Sequence, residues 1–420
     1  MLNKKGKREL AYVVQIDNII PIEGADRVET AVVGGWHIMV RKNQFKVGDY
    51  AIYFEIDSKV PEKEPFMFLA DKHFKIKTQK YFKGKVISQG LLMSFSDFYD
   101  KENGGSPAWL TAISANLTIG LDIKKDPIFL TQELGVKYSS EEDNKRKMET
   151  NKYDKMYQRH IKLFKKYGIL RKIYKNKIGK KLLFLFLGKK KDTNNSGWPV
   201  GKFPGVSKTD QERCENMTWV LEDKTPYIVT QKCDGSSGTY ILKRKSFNKF
   251  EFYVCSRNVR MFKSDQECYY GNDNVYWKAA EKYNIEEKMK KYLDEHKDIN
   301  WVCWQGEICA PNIQGNPHKL KDIHFYCFHM TDSKNGRYDI REAKKIWNKY
   351  DMEVVPIVSE NYILPDDFEL FKLSADGVYN KEVCEGAEDC LREGFVYYKT
   401  TDPTFSFKNV SREYLISRNQ

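Results

Sequence analysis

Residues 227–240 read YIVTQKCDGSSGTY. Tyr227–Gln231 has the apolar and β-branched content of a strand. It runs into Lys232-Cys233-Asp234-Gly235, followed by two serines and another glycine. A lysine where a strand stops, with an acid and a turn-forming glycine behind it, is an amine presented beside a carboxylate. Alone the four-residue pattern is weak, because short motifs recur by chance. Its weight comes from what lies downstream. Ser256-Arg257-Asn258 follows a second strand-like run, and Gly306-Glu307 lies near the end of a third. An aromatic cluster, Phe325-Tyr326-Cys327-Phe328, comes next. Glu393-Gly394-Phe395-Val396 opens another strand, and Lys408 sits in SFKNVS, 15 residues after Glu393.

Around these residues the pattern predicts strands at Tyr227–Gln231, Gly238–Lys243, Phe250–Cys255, Trp301–Ile308, His324–Met330 and Phe395–Lys399. Helical spacing covers Val275–His296, and Asp339 with Glu342 makes a capping-box-like start for a second helix. Strands followed irregularly by helices predict an α+β fold on antiparallel sheets. The first 140 residues read mainly as strands: Leu10–Asp17, Val28–Val33, Trp36–Arg41, Asp49–Ile56 and Lys85–Met93. Turn residues such as Gly34-Gly35 separate them. Five short strands fit a closed barrel of the oligonucleotide-binding (OB) type, and the same pattern suits a sandwich. Between the two regions, Tyr153, Met156, Tyr157, Ile161, Phe164 and Tyr167 form one helical stripe with lysines opposite. Asp192–Pro199 reads as a loop. The expected division is 1–140, an OB-type domain; 141–195, a basic helical connector; and 196–420, the catalytic domain.

The chain has 420 residues, 41% hydrophobic and 14% aromatic, which excludes wholesale disorder. The longest apolar run, Leu182–Leu187, is far short of the about 20 residues a bilayer span needs. The amino end has no apolar stretch behind its basic residues, so no secretory signal is expected. Nine cysteines without a CxxC pair favour reduced thiols in an intracellular compartment over a disulfide framework or a zinc site. His160, His318 and His329 likewise lack ligand spacing. The formal charge is +13, and between Glu141 and Asp192 18 Lys or Arg face 6 Asp or Glu, a net of +12. So concentrated a block points to an anionic partner, nucleic acid first, against a solvated helix face.

The order of lysine nucleophile, Arg, Glu, aromatic, Glu and Lys resembles the covalent nucleotidyltransferase superfamily of ATP-dependent ligases and capping guanylyltransferases. Within it the chain looks most like nick-sealing RNA ligases with an amino-terminal OB domain. PIEGADRVE, VGDYAIYFEIDSKVP, SQGLL, KTDQERCEN, GEICAPNIQGN and REGFV carry that likeness. It covers about residues 1–140 and 196–420. Capping enzymes and DNA ligases place a barrel after the final lysine motif, and only 12 residues follow Lys408 here. The second domain is therefore expected at the amino end.

The resemblance implies an ATP-dependent ligase that joins RNA 3′-hydroxyl and 5′-phosphate ends, as at a nicked duplex. Lys232 would carry AMP. Asp234, Glu307 and Glu393 would hold Mg²⁺ or Mn²⁺, largely through water because Mg²⁺ dehydrates reluctantly. Glu307 could also bond the ribose, Lys408 the α-phosphate, Arg257 the ribose or RNA end, and Phe328 would stack on adenine. Phe325 is expected on the same side as Phe328. The chemistry sets a demand on Lys232: lowering its pKa from about 10.4 to 7 takes about 4.6 kcal/mol of differential interaction. Cationic neighbours, metal or side chain, can supply that.

Two positions depart from the family pattern. Gln231 stands where a Glu is common before the nucleophile; its amide can still accept a hydrogen bond, without charge. Ser406 stands where a second lysine is common, so phosphate stabilisation is expected from elsewhere, with the OB domain the candidate. A GTP-using or DNA-joining nucleotidyltransferase, and an inactive nucleic-acid-binding homologue, remain the alternative readings.

Overall fold

The computed structural model describes residues 1–4, 7–82, 86–99, 105–138, 156, 160, 163, 167–187, 200–207, 209–246, 249–261, 274–383 and 390–418. The amino-terminal region is built from short sheets. Tyr50–Phe54 pairs with Ala11–Gln15 on one side and Leu91–Met93 on the other, and Val28–Val33 lies between Asn18–Pro21 and Trp36–Arg41. Period-two burial explains the pairing. Trp36, Ile38 and Val40 point inward to meet Tyr12, Val14 and Tyr53 in one apolar core. The expected strand Lys85–Met93 breaks at Gly90, whose φ of +102° and contact with the Tyr53 ring only glycine tolerates.

Gly34-Gly35 forms a two-residue hairpin, closed by the Val33–Trp36 pair. Its tip is also a docking point. Gly35 N–H donates to the Glu215 carbonyl at 2.8 Å, and a Cβ on Gly35 would sit 2.2 Å from the Phe368 ring. Nearby, Asn216 Oδ1 accepts from Trp36 Nε1 at 2.7 Å and its amide donates to the fully buried Glu55. Glu215 is itself buried and paired with Lys372 at 2.7 Å. The amino-terminal region therefore sits on the second through buried polar contacts, each holding a group that would be costly to leave unpaired.

The stripe expected through Tyr153, Tyr157, Ile161 and Phe164, and the Asp192–Pro199 loop, lie outside the described residues. Beyond the stripe, Gly168–Lys175 and Lys177–Leu187 are helices that pack on each other around Leu183. Among the described residues no helix is long and apolar enough to cross a membrane.

The larger region is α+β, as expected. A seven-stranded sheet runs Val200–Lys202, Val259–Met261, Lys249–Cys255, Ser236–Ser246, Trp301–Cys309, His324–Asp332, Gly336–Arg337. A five-stranded sheet runs Glu212–Arg213, Asp402–Val410, Gly394–Lys399, Tyr227–Lys232, Ile357–Tyr362. Among the described residues every strand pairing in these two sheets is antiparallel except that of Glu212–Arg213 with Phe407–Lys408. Trp304, Trp347 and Phe325 are fully buried on the seven-stranded sheet, each contributing about 1.5–3 kcal/mol. Val275–His296 is two helices, Val275–Lys282 and Ile285–Glu295, because Asn284 takes a left-handed φ of +48°. The Asp339 helix starts where its cap places it, with Asp339 Oδ1 accepting from Arg341 N–H at 2.8 Å. The seven described cysteines are buried free thiols.

Candidate active site

The strand Tyr227–Lys232 belongs to the five-stranded sheet, and Ser236–Ser246 belongs to the seven-stranded one. Lys232-Cys233-Asp234-Gly235 is thus the crossing between sheets, where a side chain can face the cleft both create. Lys232 pairs opposite Gly394. Gly394 holds φ at +137°, and a Cβ there would lie 2.1 Å from the Asn409 carbonyl. Glycine alone lets the three strands close at this point.

Closure brings Glu393 to Lys232: Lys232 Nζ lies 2.7 Å from Glu393 Oε1. Burial disfavours the ammonium, but Glu393 and then Glu307 outweigh it and hold the Lys232 pKa above its ordinary value. The closest charge to the amine is therefore acidic, not cationic.

Glu307 sits opposite Ser237 and accepts from Gly235 N–H at 3.1 Å. Burial pushes its carboxyl up to about 7, against the pull of Lys232 and Arg257. Asp234 is pushed up to about 6 by burial and by Glu393, while the Tyr414 hydroxyl, Lys232 and Arg418 oppose the shift. Glu393 Oε2 is buried and accepts no hydrogen bond among the described residues. Also among the described residues, no three His, Cys, Asp or Glu side chains gather into a ready-made metal cage. An orphaned carboxylate oxygen beside two acids strained by burial fits a divalent cation held mainly through its water shell.

A small cleft, open at its mouth, is walled by Gln231, Lys232, Arg257, Glu307, Phe328 and Lys408, among others. Asp234 and Glu393 are outside that wall. Gln231 Nε2 donates to the Gly394 carbonyl at 3.0 Å, which commits the amide's donor end to the fold. Phe328 is half-buried at the cavity. Phe325 does not share its side, contrary to the expectation. Residues three apart on a strand fall on opposite faces, and Phe328 packs with Tyr326 and Ile228 on the face away from Phe325. Phe325 instead packs edge-on against Tyr240 at 4.9 Å in the core.

Lys408, on Asp402–Val410, bonds Asp210 Oδ1 at 2.9 Å. Burial lowers Lys408 to about 8; Asp210 opposes the shift, and Arg8 and Arg213 add to it. Burial works against the Asp210 carboxylate, yet Lys408, Arg8 and Arg257 hold it well below the usual range. Arg8 reaches in from the amino-terminal region, 3.8 Å from Glu55. Nε and Nη2 of Arg8, and Nε and Nη1 of Arg213, are buried without hydrogen-bond partners among the described residues. The sequence patterns pass over Arg8, Asp210, Arg213 and Tyr414. Asp210 and Arg213 lie in KTDQERCEN, a stretch that carries the family likeness without marking single residues; nothing marks Arg8.

Residues 225–411 match the RNA ligase family model, and residues 10–95 match an OB-fold domain. The chain carries an RNA ligase domain behind an OB-fold domain. Solved structures agree over nearly its whole length. A lysine-to-alanine variant of Naegleria gruberi RNA ligase with ATP and Mn is 25% identical, covers 98% of each chain and superposes with a TM-score of 0.66. A glutamate-to-alanine variant with ATP and Mn is also 25% identical over 97% of this chain and 98% of that chain, with a TM-score of 0.66. The same enzyme with PPi gives 25% identity, the same coverage and a TM-score of 0.65. No curated protein sequence matches the chain.

Proposed function

We propose that this RNA ligase uses ATP and a divalent cation to join 3′-hydroxyl and 5′-phosphate RNA ends, with a nicked duplex as its substrate. The observation that carries the reading is the ion-paired Lys232 at a cleft that also holds Glu307, Phe328 and Lys408. Lys232 Nζ, once deprotonated, attacks the α-phosphorus of ATP. An N–P bond forms, the bond to the bridging oxygen breaks, and pyrophosphate leaves. A 5′-phosphate oxygen then displaces the lysine and takes the AMP. Finally the 3′-hydroxyl attacks that phosphate, forming the phosphodiester and releasing AMP.

Asp234, Glu307 and Glu393 would hold Mg²⁺ or Mn²⁺, which when bound supplies positive charge beside the amine and the α-phosphate. Glu393 would then be one of the groups holding that ion, and its hold on the Lys232 ammonium would weaken. Phe328 stacks on adenine, Lys408 meets the α-phosphate, and Arg257 the ribose or RNA end. Arg8 and Arg213 take the outer phosphates in place of the cation missing at Ser406. Their buried, unpartnered N–H groups support that role, since such donors are costly unless an anion satisfies them. Catalysis is then positioning plus charge neutralisation at phosphorus.

The test is end joining with ATP on an RNA nick against free single strands, with GTP in place of ATP as control. Sealing of the nick with ATP supports the reading; joining only with GTP, or only of DNA, overturns it.

A further inference from the structure

The chain's last helix, Arg412–Ser417, touches two parts of the molecule that the proposed reaction must coordinate. Ser411 caps it. The Ser411 hydroxyl accepts from Tyr414 N–H at 3.1 Å, and its own backbone N–H donates to the Glu393 carbonyl at 2.9 Å. On one side, Leu415 packs against the barrel core of Trp36 and Tyr53, and the helix lies on the strand Thr78–Tyr81. On the other side the helix reaches the nucleophile's neighbour. The Tyr414 hydroxyl, on a side chain only 5% exposed, donates to Asp234 Oδ2. Arg418 Nη2 stands farther off, 3.7 Å from the same oxygen.

Asp234 sits on a crossing segment, not within a sheet, and the charge of Glu393 acts on it. Left to itself its carboxylate has free torsions and a repelling neighbour. A neutral hydroxyl donor fixes one oxygen without cancelling the charge, leaving the other lone pairs for the water shell of a cation. The barrel fixes the helix, the helix fixes Tyr414, and Tyr414 fixes the carboxylate.

We propose that Tyr414 is a positioning residue for Asp234, and that through this helix the OB domain sets the geometry of the divalent-cation site. The proposal deepens the ATP-and-metal reading above and rests on it. It is tested by titrating Mn²⁺ into the full chain without ATP and following free Mn²⁺ by electron paramagnetic resonance, alongside thermal melting. Tyr414→Phe is expected to weaken Mn²⁺ binding by about tenfold, as loss of a hydrogen bond to a charged group does, with melting unchanged. Leu415→Ala should shift Mn²⁺ affinity the same way by a smaller factor. Lysine adenylylation by Tyr414→Phe should then recover toward the wild-type rate at saturating Mn²⁺. An unmoved Mn²⁺ affinity in Tyr414→Phe, or a loss of melting temperature and ATP binding together, overturns the proposal. An unmoved affinity in Leu415→Ala overturns the barrel's part in it. Asp234→Ala separates the two levels: if it too leaves Mn²⁺ binding intact, the metal reading itself has failed.

Discussion

Lys232 Nζ is 2.7 Å from Glu393 Oε1, and the two side chains leave adjacent strands one residue out of register, Lys232 being paired with Gly394. The contact favours the charged ammonium of Lys232. Replacing Glu393 by Gln removes both that hold and one carboxylate of the proposed cation site. We expect Lys232 to lose its proton more readily, yet the rate of lysine adenylylation to fall by at least about a hundredfold, the scale of losing one charge-stabilising group. Single-turnover labelling with ATP measures it, and a rate equal to or above wild type would remove Glu393 from the metal role.

Lys408 gives a pH signature. Its folded value is lowered to about 8, so it is mostly cationic at neutral pH and loses its charge on crossing that value. If the charge holds a phosphate, KM for ATP should rise by up to about tenfold for each pH unit above it. Lys408→Arg, which cannot deprotonate there, should flatten the rise. A wild-type KM that stays level to about pH 9.5 speaks against a phosphate contact.

Gly394→Ala tests the closure of the strands. A methyl group would meet the Asn409 carbonyl at 2.1 Å, on backbone at φ +137°. Destabilisation of at least about 2 kcal/mol in denaturant unfolding is expected, from strain and clash together. A variant as stable as wild type would mean that the three strands can part without cost.

How far the site can be read from the chain alone follows from where its residues stand. Lys232, Glu307 and Glu393 sit at strand ends in a fixed order, so a linear pattern displays them. Phe325 is misplaced because it stands three residues before Phe328, and a period of two puts such positions on opposite faces: Phe325 joins the core of Tyr240, and Phe328 packs against that of Tyr326 and Ile228. Lys85–Met93 and Val275–His296 each look like one element in the hydrophobic pattern, yet Gly90 and Asn284 break them through backbone conformation. Tyr414 meets Asp234 across 180 residues of chain, and Arg8 arrives from another domain. Neither has a local signal, because their roles exist only after the barrel has docked.

The lysines of the basic connector make a separate claim. Lys172, Lys175, Lys180 and Lys181 lie on the two described helices. If they meet RNA phosphates, changing all four to Gln should flatten the slope of log affinity against log salt by about 0.7–0.9 for each phosphate left without its cation. Adenylylation without RNA should be unaffected. An unaltered slope returns them to a solvated face.

Lys232 is expected to become covalently adenylylated. Incubating the full chain with ATP and Mg²⁺, digesting it and mapping the modified peptide by mass spectrometry tests this directly. One adenylate is expected, on the peptide containing Lys232, and none in Lys232→Ala. An adenylate on another lysine, or one that persists in Lys232→Ala, would contradict it.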